Sequence, residues 1–498
     1  MPAQTIQTIV PIVDGEEFKD AGGASFEVVN PATGQVIGKE VACDAEAVAE
    51  IVESSQRAFD HKDWKTLSAA DRGNLLLKLA DLVDQKAESL VELELEDTGK
   101  PITQLRAGEI PLTSAIIRFY AGAADKVEGS IKSGSPGELL MQVYEPYGVV
   151  AGILPWNYPF VNAALKAVCA VATGNAIVLK PSQETPLGTV AFAKLCTEAG
   201  IPPGIVNVVL GGGSTTGQAL IEHPKVKKIS FTGSTEIGRR VQETAAAQMK
   251  AVNLECGGKN AIIVFADADL DRAAEATLIS AFVNAGQLCV ACSRLLVEDR
   301  IADEFESILV DRIKKIAVGN PREEGTMVGP MITRAQYDIA NQYIDSVRQN
   351  GCSILCGGGK PVLDSTFENG YWIEPTILSQ VKCGMNVHDE EIFGPVLSVV
   401  RFSDEVEAIS TANAVEYGLS GSVWTCDSSR ALRVSKALDT GITWVNTMLV
   451  GYPQIPVAPH KMSGTGVELG VEGMMAYMKS KSIVIGHDDL VPVGWGLG

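Results

Sequence analysis

Two residue types on which many binding sites depend are scarce in this chain. Only 5 histidines occur in 498 residues, and aromatic residues make up 6%. Basic residues are also in the minority, since 41 lysines and arginines stand against 61 aspartates and glutamates, a net charge of −20. An acidic surface repels phosphate backbones, so we expect no nucleic-acid partner. Any anionic ligand must be held by groups placed locally.

Long uninterrupted apolar runs and metal-ligand clusters are also missing. The uncharged span 146–165 contains three prolines and two asparagines, so it predicts no membrane helix. Residues 1–6 carry neither a basic region nor an apolar core, so we expect no signal peptide and a cytoplasmic protein with reduced thiols. Cys289 and Cys292 have no second cysteine pair or histidine cluster to complete four zinc ligands, so we expect no metal site.

The pattern along the chain predicts an α/β protein of more than one domain. Residues 12–41 read as a small antiparallel layer with a turn at Asp14-Gly15, and helices follow with Asp44 and Asp71 as caps. Between residues 149 and 318 short apolar strands alternate with helices, which predicts a parallel sheet covered on both faces. A change of domain is expected near residues 255–258. Residues 127–147 and 482–486 are expected to pair as exposed strands at an assembly surface.

One stretch places a cysteine where a nucleophile can be held. In residues 282–294, Cys289 follows the end of an apolar helix at Ala285-Gly286-Gln287 and precedes the strand-like run 295–297. A thiol between two rigid elements can face a cleft. Burial as a small apolar side chain is the alternative.

Two further stretches suit the binding of a phosphorylated ligand. Residues 228–238 read as a strand, a turn at Gly233-Ser234 and a helix, whose first N–H groups suit a pyrophosphate. Lys180 ends a predicted parallel strand, at the edge where open α/β sheets bind ligands. A plain turn and a solvated lysine are the alternatives.

Two more stretches offer groups for acyl chemistry. Asn157 stands between Pro155 and Pro159, which aims its amide rigidly, as an oxyanion donor requires; an ordinary turn fits as well. Glu255 lies among apolar residues and glycines, so we expect its pKa to be raised and its carboxylate to act as a general base. Pairing with a neighbouring lysine is the alternative.

These five stretches, in this order, resemble the aldehyde dehydrogenase superfamily over residues 12–485. Glu390-Glu391-Ile-Phe393-Gly-Pro395 and Lys461-Met-Ser-Gly-Thr-Gly466 extend the resemblance. It implies a Rossmann-like cofactor domain (1–126 and 148–255), a second, catalytic α/β domain (256–460) and a small β oligomerisation element (127–147 and 478–498). A homo-oligomer, dimer or tetramer, is implied as well.

The resemblance also assigns roles to residues. Cys289 would be the nucleophile, with a pKa that needs only a modest lowering, and Glu255 the base. Asn157 and the Cys289 N–H would form the oxyanion hole, while Lys166 and Glu468 match positions proposed to relay a proton. NAD is the implied cofactor. The implied cofactor-binding residues are Trp156, Lys180, Ser182, Gln183, Gly233, Ser234, Glu391 and Phe393.

Departures from the family pattern predict specificity. Glutamate is usual at position 183, and Gln183 removes a charge that would repel a 2′-phosphate, so we expect NADP to be tolerated beside NAD. Of the expected pocket residues only one is aromatic, which predicts a wide apolar pocket for a medium-to-large hydrophobic aldehyde, aliphatic or arylalkyl. The expected substrate-binding residues are Tyr158, Leu165, Val283, Leu449 and Val457.

Other interpretations remain open at this stage. A betaine-aldehyde enzyme would need an aromatic box, and a coenzyme A acylating enzyme would not need the base Glu255. A non-catalytic, crystallin-like scaffold would not need the catalytic trio. A cysteine hydrolase needs a histidine, and none of the five lies in a motif resembling a dyad. Cys256 either packs or forms a disulfide with Cys289 or Cys292, and Cys292 is expected to pack behind the nucleophile.

Overall fold

Short runs of β-branched and aliphatic residues form the strands of two large sheets. The computed structural model describes residues 7–134, 136–347 and 352–486. The strands are β1 (Gln7–Ile9), β2 (Ile12–Val13), β3 (Glu16–Glu17), β4 (Gly22–Asn30), β5 (Gln35–Cys43), β6 (Ser130–Lys132), β7 (Glu138–Pro146), β8 (Val149–Ile153), β9 (Ala176–Lys180), β10 (Val206–Val208), β11 (Val226–Thr232), β12 (Ala251–Glu255), β13 (Ala261–Val264), β14 (Arg294–Glu298), β15 (Ser353–Cys356), β16 (Thr376–Ser379), β17 (Val396–Phe402), β18 (Tyr417–Gly418), β19 (Ser420–Trp424), β20 (Ile442–Val445), β21 (His460–Lys461), β22 (Gly464–Thr465) and β23 (Met478–Gly486).

Helices cover these sheets, and most begin at a side chain that accepts a backbone N–H or follow directly from another helix. They are α1 (Ala45–Asp60), α2 (Lys62–Thr66), α3 (Ala69–Gln85), α4 (Ala87–Thr98), α5 (Ile102–Gln104), α6 (Ile110–Ala123), α7 (Pro159–Ala172), α8 (Leu187–Glu198), α9 (Gln218–Glu222), α10 (Thr235–Ala247), α11 (Leu270–Phe282), α12 (Asp299–Ile313), α13 (Arg334–Val347), α14 (Asn386–Asp389), α15 (Glu405–Asn413), α16 (Ser428–Ala437) and α17 (Gly470–Met475). Asp44 caps α1 as predicted. The prediction for Asp71 is wrong, because Ser68 caps α3 and Asp71 lies in its first turn.

The sheet order confirms the predicted α/β class. One sheet runs β22-β12-β11-β8-β9-β10-β2-β3, and its five central strands are parallel. The second runs β15-β16-β17-β14-β13-β19-β20 and is parallel except at β15. The chain leaves the first sheet at Glu255 and enters the second at Ala261. Residues on either side of this crossing therefore lie where two sheets approach one site.

The N-terminal strands differ from the expected single antiparallel layer. The turn at Asp14-Gly15 does join the antiparallel strands β2 and β3, but these extend the edge of the first large sheet through β10. β1 pairs in parallel with β5, and only β4 and β5 form the expected antiparallel pair. The reason is that β2 is fully apolar and buried, so it joins the larger core.

The predicted pairing of the hairpin with the C-terminal strand is confirmed. β23 runs antiparallel to β7 over nine residue pairs, from Met478 opposite Pro146 to Gly486 opposite Glu138, and β6 covers the other edge of β7. Ile131 and Val484 are largely exposed on this small sheet. The expected extension to residue 498 lies outside the described residues. Within the described ranges, no helix is long and apolar enough to cross a membrane.

Candidate active site

Cys289 lies in a loop whose path is set by an unusual turn. After α11 ends at Phe282, Asn284 and Ala285 take positive φ angles of 51° and 53°, which non-glycine residues rarely adopt. The chain reverses there and reaches β14 at Arg294. The amide of Asn260 then fixes the loop, since Nδ2 donates to the carbonyls of Cys289 (2.7 Å) and Ala291 (2.9 Å). The thiol is therefore held between a helix and a strand, as predicted.

Asn157 is tied to the same turn. Its side chain is buried, and Nδ2 donates to the carbonyl of Gln287 at 3.0 Å. Asn284 donates in return to the carbonyls of Asn157 (3.3 Å) and Gln287 (3.1 Å). These bonds hold the Asn157 amide against Gln287, which lies two residues before Cys289 in the loop. A donor held this rigidly needs little reorganisation when charge develops nearby.

Glu255 ends β12 as a buried carboxylate. Burial, and then the charge of Glu468, raise its pKa well above the ordinary value, while Lys166 opposes the shift. Its Oε1 has no hydrogen-bond partner among the described residues, and no lysine there forms an ion pair with it. The alternative of a structural lysine pair is therefore wrong. A buried, unpaired carboxyl of this kind can take a proton near neutral pH.

The Cys289 thiol differs from the sequence-based prediction. Burial raises its pKa to about 12, and the charges of Glu255 and Glu391 act in the same direction. The expected modest lowering is wrong because the charges of Glu255, Glu391 and Glu468 oppose the thiolate, whereas only the Val290 N–H favours it. The thiol must therefore lose its proton to a nearby base as it attacks.

Lys166 and Glu468 meet beneath the base. Lys166 is fully buried on α7, and its Nζ lies 2.5 Å from Glu468 Oε1 and 3.1 Å from the Ser230 hydroxyl. Ser230 in turn lies 3.4 Å from the same carboxylate. The chain brings Glu468 here because residues 457 and 468 form a β-bridge. Sequence reasoning missed Ser230, which in the sequence is one polar residue inside an apolar strand.

The residues expected to hold a cofactor lie at the carboxyl ends of neighbouring strands. Lys180 ends β9, and its buried Nζ donates to the Pro181 carbonyl at 2.7 Å. Gly233 follows β11, and Ser234 caps α10, accepting the Ile237 N–H at 3.4 Å. This is the edge at which parallel sheets bind nucleotides. The free N–H groups of the first turn of α10 suit a pyrophosphate.

A loop of the second sheet, which carries Glu391 and Phe393 before β17, faces this edge. The rings of Trp156 and Phe393 meet edge to face with centroids 5.2 Å apart. Gly258 donates its N–H to Glu391 Oε1 at 2.9 Å, and a Cβ on Gly257 would collide with the same carboxylate. Gly257 is therefore required for Glu391 to lie over the loop after β12, while a Cβ on Gly258 would collide with the Cys289 carbonyl. Burial raises the pKa of Glu391 to about 7.

Comparison with known proteins shows the family of this chain. The family model described as "Aldehyde dehydrogenase family" matches residues 18–483. A mitochondrial aldehyde dehydrogenase of Arabidopsis thaliana, family 2 member B4, is 40% identical over 474 residues, 95% of this chain and 87% of that protein. The chain belongs to the aldehyde dehydrogenase family.

Solved structures of other aldehyde dehydrogenases superimpose closely. An NAD-dependent aldehyde dehydrogenase from Sinorhizobium meliloti is 37% identical with a TM-score of 0.95, covering 99% of this chain and 97% of that one. A betaine aldehyde dehydrogenase from Staphylococcus aureus in complex with NAD+ is 36% identical with a TM-score of 0.95, covering 98% and 96%. The α/β fold and the enzyme class of this aldehyde dehydrogenase are thereby confirmed.

A negative charge lies one residue after Gln183 in the chain, at Glu184. Gln183 Oε1 lies near Gly212, where a Cβ would be 3.5 Å away. Ser182 donates its hydroxyl to the Glu184 carboxylate. Glu40, whose two carboxylate oxygens have no hydrogen-bond partner among the described residues, also acts on Lys180 electrostatically. The replacement of the usual glutamate by Gln183 therefore does not remove all negative charge from this part of the site.

The expected substrate residues do not all meet at one point. The Cys289 charge acts on the Tyr158 phenol, so these two are close, and Lys100 Nζ lies 3.9 Å over the Tyr158 ring. Leu165 is buried on α7, while Val283 is half-buried at the turn before Cys289. Val457 pairs with Glu468. Leu449 lines a separate cavity of about 190 Å³; its other lining residues include Ile279, Trp424 and Met448.

The two other cysteines near the site are packing residues. Cys292 is fully buried, with its Sγ 3.7 Å from Met448 Sδ, as expected. Cys256 points away into the core of the first sheet, since a Cβ on Gly238 of α10 would come within 2.6 Å of its Sγ. Both thiols are free. Packing is thus the interpretation of Cys256 that its surroundings favour.

Proposed function

We propose that this aldehyde dehydrogenase oxidises an aldehyde to the carboxylic acid with NAD, through a covalent bond to Cys289. The observation that carries the proposal is the buried carboxyl of Glu255, whose Oε1 has no hydrogen-bond partner among the described residues, within electrostatic range of the Cys289 thiol. A base in that position can activate water against a thioester, which favours hydrolysis over transfer to coenzyme A. The retained base, nucleophile and Asn157 also argue against a non-catalytic scaffold.

In the proposed reaction each of these residues has one role. As Cys289 Sγ attacks the aldehyde carbon, its proton leaves for a nearby base, and Asn157 Nδ2 with the Cys289 N–H stabilises the oxyanion. A single donor of this kind is worth about 3 kcal/mol of barrier. Bound NAD supplies the acceptor for the hydride that leaves the carbon. Glu255 then deprotonates the water that opens the thioester, and the Lys166–Glu468 pair is placed to pass the proton on.

The residues present fit a dinucleotide. The capped start of α10 with Gly233 would hold the pyrophosphate, and Lys180 and Ser182 would contact the adenosine ribose. Trp156 would line the cleft, and Glu391 with Phe393 would hold the nicotinamide ribose. The Staphylococcus aureus relative was solved with NAD+. NAD is therefore the coenzyme we propose, with NADP accepted beside it because Gln183 is neutral.

The substrate we propose is a medium-to-large hydrophobic aldehyde, aliphatic or arylalkyl. Support comes from the aliphatic residues Leu165 and Val283 and from the absence of aromatic side chains among the expected pocket positions other than Tyr158. A quaternary ammonium would gain about 0.5–2 kcal/mol from an aromatic cage that these positions do not form. The Staphylococcus aureus relative, named a betaine aldehyde dehydrogenase, marks the competing outcome.

An aldehyde panel tests both the substrate and the coenzyme. Octanal, phenylacetaldehyde and betaine aldehyde are oxidised with NAD and with NADP, and reduced nicotinamide is followed by absorbance. We expect the two hydrophobic aldehydes to have the higher kcat/KM. Higher efficiency on betaine aldehyde overturns the substrate proposal, and an NAD preference above about a hundredfold, or 2.7 kcal/mol, overturns NADP tolerance.

The domain division, assembly and location are proposals too. We assign residues 1–126 and 148–255 to coenzyme binding and 256–460 to catalysis, because the chain changes sheets after Glu255. The exposed apolar residues of the sheet β23-β7-β6 support its use in a homodimer or tetramer. We place the enzyme in the cytoplasm. Light scattering and cell fractionation test the last two, and the Arabidopsis relative, named mitochondrial, marks the competing outcome.

A further inference from the structure

A second cysteine lies beside a buried histidine, away from the site described above. Cys383 is exposed in the loop between β16 and α14. Its Sγ lies 3.7 Å from Nε2 of His388, and Nδ1 of that ring lies 2.5 Å from the Asp389 carboxylate. The sequence showed no histidine in a motif resembling a dyad, and this contact between Cys383 and His388 forms only in the folded chain. The pair escaped notice because Cys383 and His388 match no family motif.

The contacts of His388 define which nitrogen is the base. Because the Asp389 carboxylate can only accept, Nδ1 carries the proton and Nε2 keeps its lone pair. The imidazole is fully buried, and burial holds the pKa of His388 below its ordinary value. The ring is therefore neutral near pH 7. Its basic nitrogen faces the Cys383 thiol.

A buried cation lies on the same nitrogen. Arg294 NH1 lies 3.4 Å from His388 Nε2 and donates to the Thr411 carbonyl at 2.9 Å, while NH2 donates to Ala412 at 2.8 Å. Within the described residues, Arg294 has no ion pair with a carboxylate. The guanidinium therefore lies against the same ring nitrogen that contacts the Cys383 thiol.

We propose that Cys383 is a second nucleophilic thiol, which adds to α,β-unsaturated aldehydes with His388 as its base. Sγ bonds to the β-carbon as the thiol proton moves to His388 Nε2. The electron pair of the C=C bond moves to the α-carbon, which takes that proton back. The sum is addition of S–H across the double bond, so no oxidant is required. Only the choice of electrophile rests on the proposed function.

Timed alkylation of the full-length enzyme tests the proposal. A Cys289→Ser background removes the competing nucleophile, and the probes are N-ethylmaleimide and crotonaldehyde at pH 7. Peptide mass spectrometry gives the rate at each cysteine. Cys426 is the internal reference, because it is also exposed and its thiol has no hydrogen-bond partner among the described residues. Buried Cys196 reports unfolding, since it is labelled only when the chain opens.

We expect Cys383 to react about a hundred times faster than Cys426 with both probes, a ratio at the lower end of general base assistance. His388→Gln is expected to lower the alkylation rate of Cys383 to that of Cys426. If Cys196 becomes labelled in that variant, Asp389→Ala, which removes the acceptor of the Nδ1–H, serves instead. Equal rates at Cys383 and Cys426, or a ratio that survives loss of the base, overturn the proposal. Aldehyde oxidation by the unmodified enzyme is measured separately, so failure of the proposed function is distinguishable.

Discussion

The isosteric change Glu255→Gln isolates the hydrolytic half of the proposed reaction. The glutamine keeps the strand contacts of β12, where residue 255 pairs with Gly464 and its carbonyl accepts the Gly233 N–H at 3.0 Å. It replaces a carboxyl whose raised pKa already makes the neutral form accessible. The fold should therefore tolerate it, and the loss is confined to proton transfer.

The size of the effect follows from the loss of one general base. Such groups contribute about 10²–10⁴ in rate, equivalent to ~3–5 kcal/mol of barrier. We expect steady-state turnover of Glu255→Gln to fall by this factor, while one equivalent of reduced nicotinamide per site still forms rapidly. The thioester on Cys289 should then accumulate.

Stopped-flow absorbance measures the burst of reduced nicotinamide, and intact-protein mass spectrometry detects the thioester on Cys289. A burst with an acyl mass on the protein confirms the assignment, and Cys289→Ala is the control that must show neither. If burst and steady state slow together without an acyl mass, Glu255 serves the thiol and not the water, and the reasoning is refuted. With the natural enzyme, turnover should fall as pH drops through the raised pKa of Glu255, and this acid limb should vanish in the variant.

Three further changes probe buried charge. Lys166→Met leaves Glu468 without its cation and should lower the free energy of unfolding, measured in urea, by about 3–5 kcal/mol; adding Glu468→Leu should restore part of it. Glu184→Gln should raise NADP efficiency relative to NAD about tenfold, since it removes the charge beside Gln183; an unchanged ratio contradicts this. Burial raises the pKa of Glu94 to about 8. Between pH 5 and 8 the folded state thus keeps a proton that the unfolded state releases, so stability falls as pH rises. Glu94→Gln should flatten that urea-midpoint profile and add about 3 kcal/mol at pH 7.

The positions of the strands and of the motifs could be predicted from the sequence because each depends on residues that are close together in the chain. The apolar runs at β8, β9 and β11 have a length and spacing that only a parallel sheet accommodates. The glycine turn at Gly233 likewise implies a helix start. Since the carboxyl ends of these strands share one edge, Lys180 and Gly233 were predicted to face the same ligand.

Contacts between segments that are distant in the chain could not be predicted from the sequence. Asn260 holds the carbonyl of Cys289 from 29 residues away, and nothing in its own neighbourhood marks it except its place after two glycines. The pKa of Cys289 depends on Glu391, 102 positions later in the numbering, which lies over Gly257 only in the folded chain. Electrostatic shifts of this kind are set by burial and distance, which periodicity does not report.

Arg294 shows how one buried cation organises both thiol sites. It starts β14 five residues after Cys289, and Nε donates to the Lys259 carbonyl at 2.8 Å, next to the Asn260 that holds the catalytic loop. Its other end reaches His388, three residues before Glu391. Desolvating a guanidinium is costly unless its donors are met, and here backbone carbonyls meet them in place of a carboxylate. The positive charge is therefore not neutralised locally. Cys289 faces the charges of Glu255 and Glu391, whereas Arg294 lies beside His388, the proposed base of Cys383.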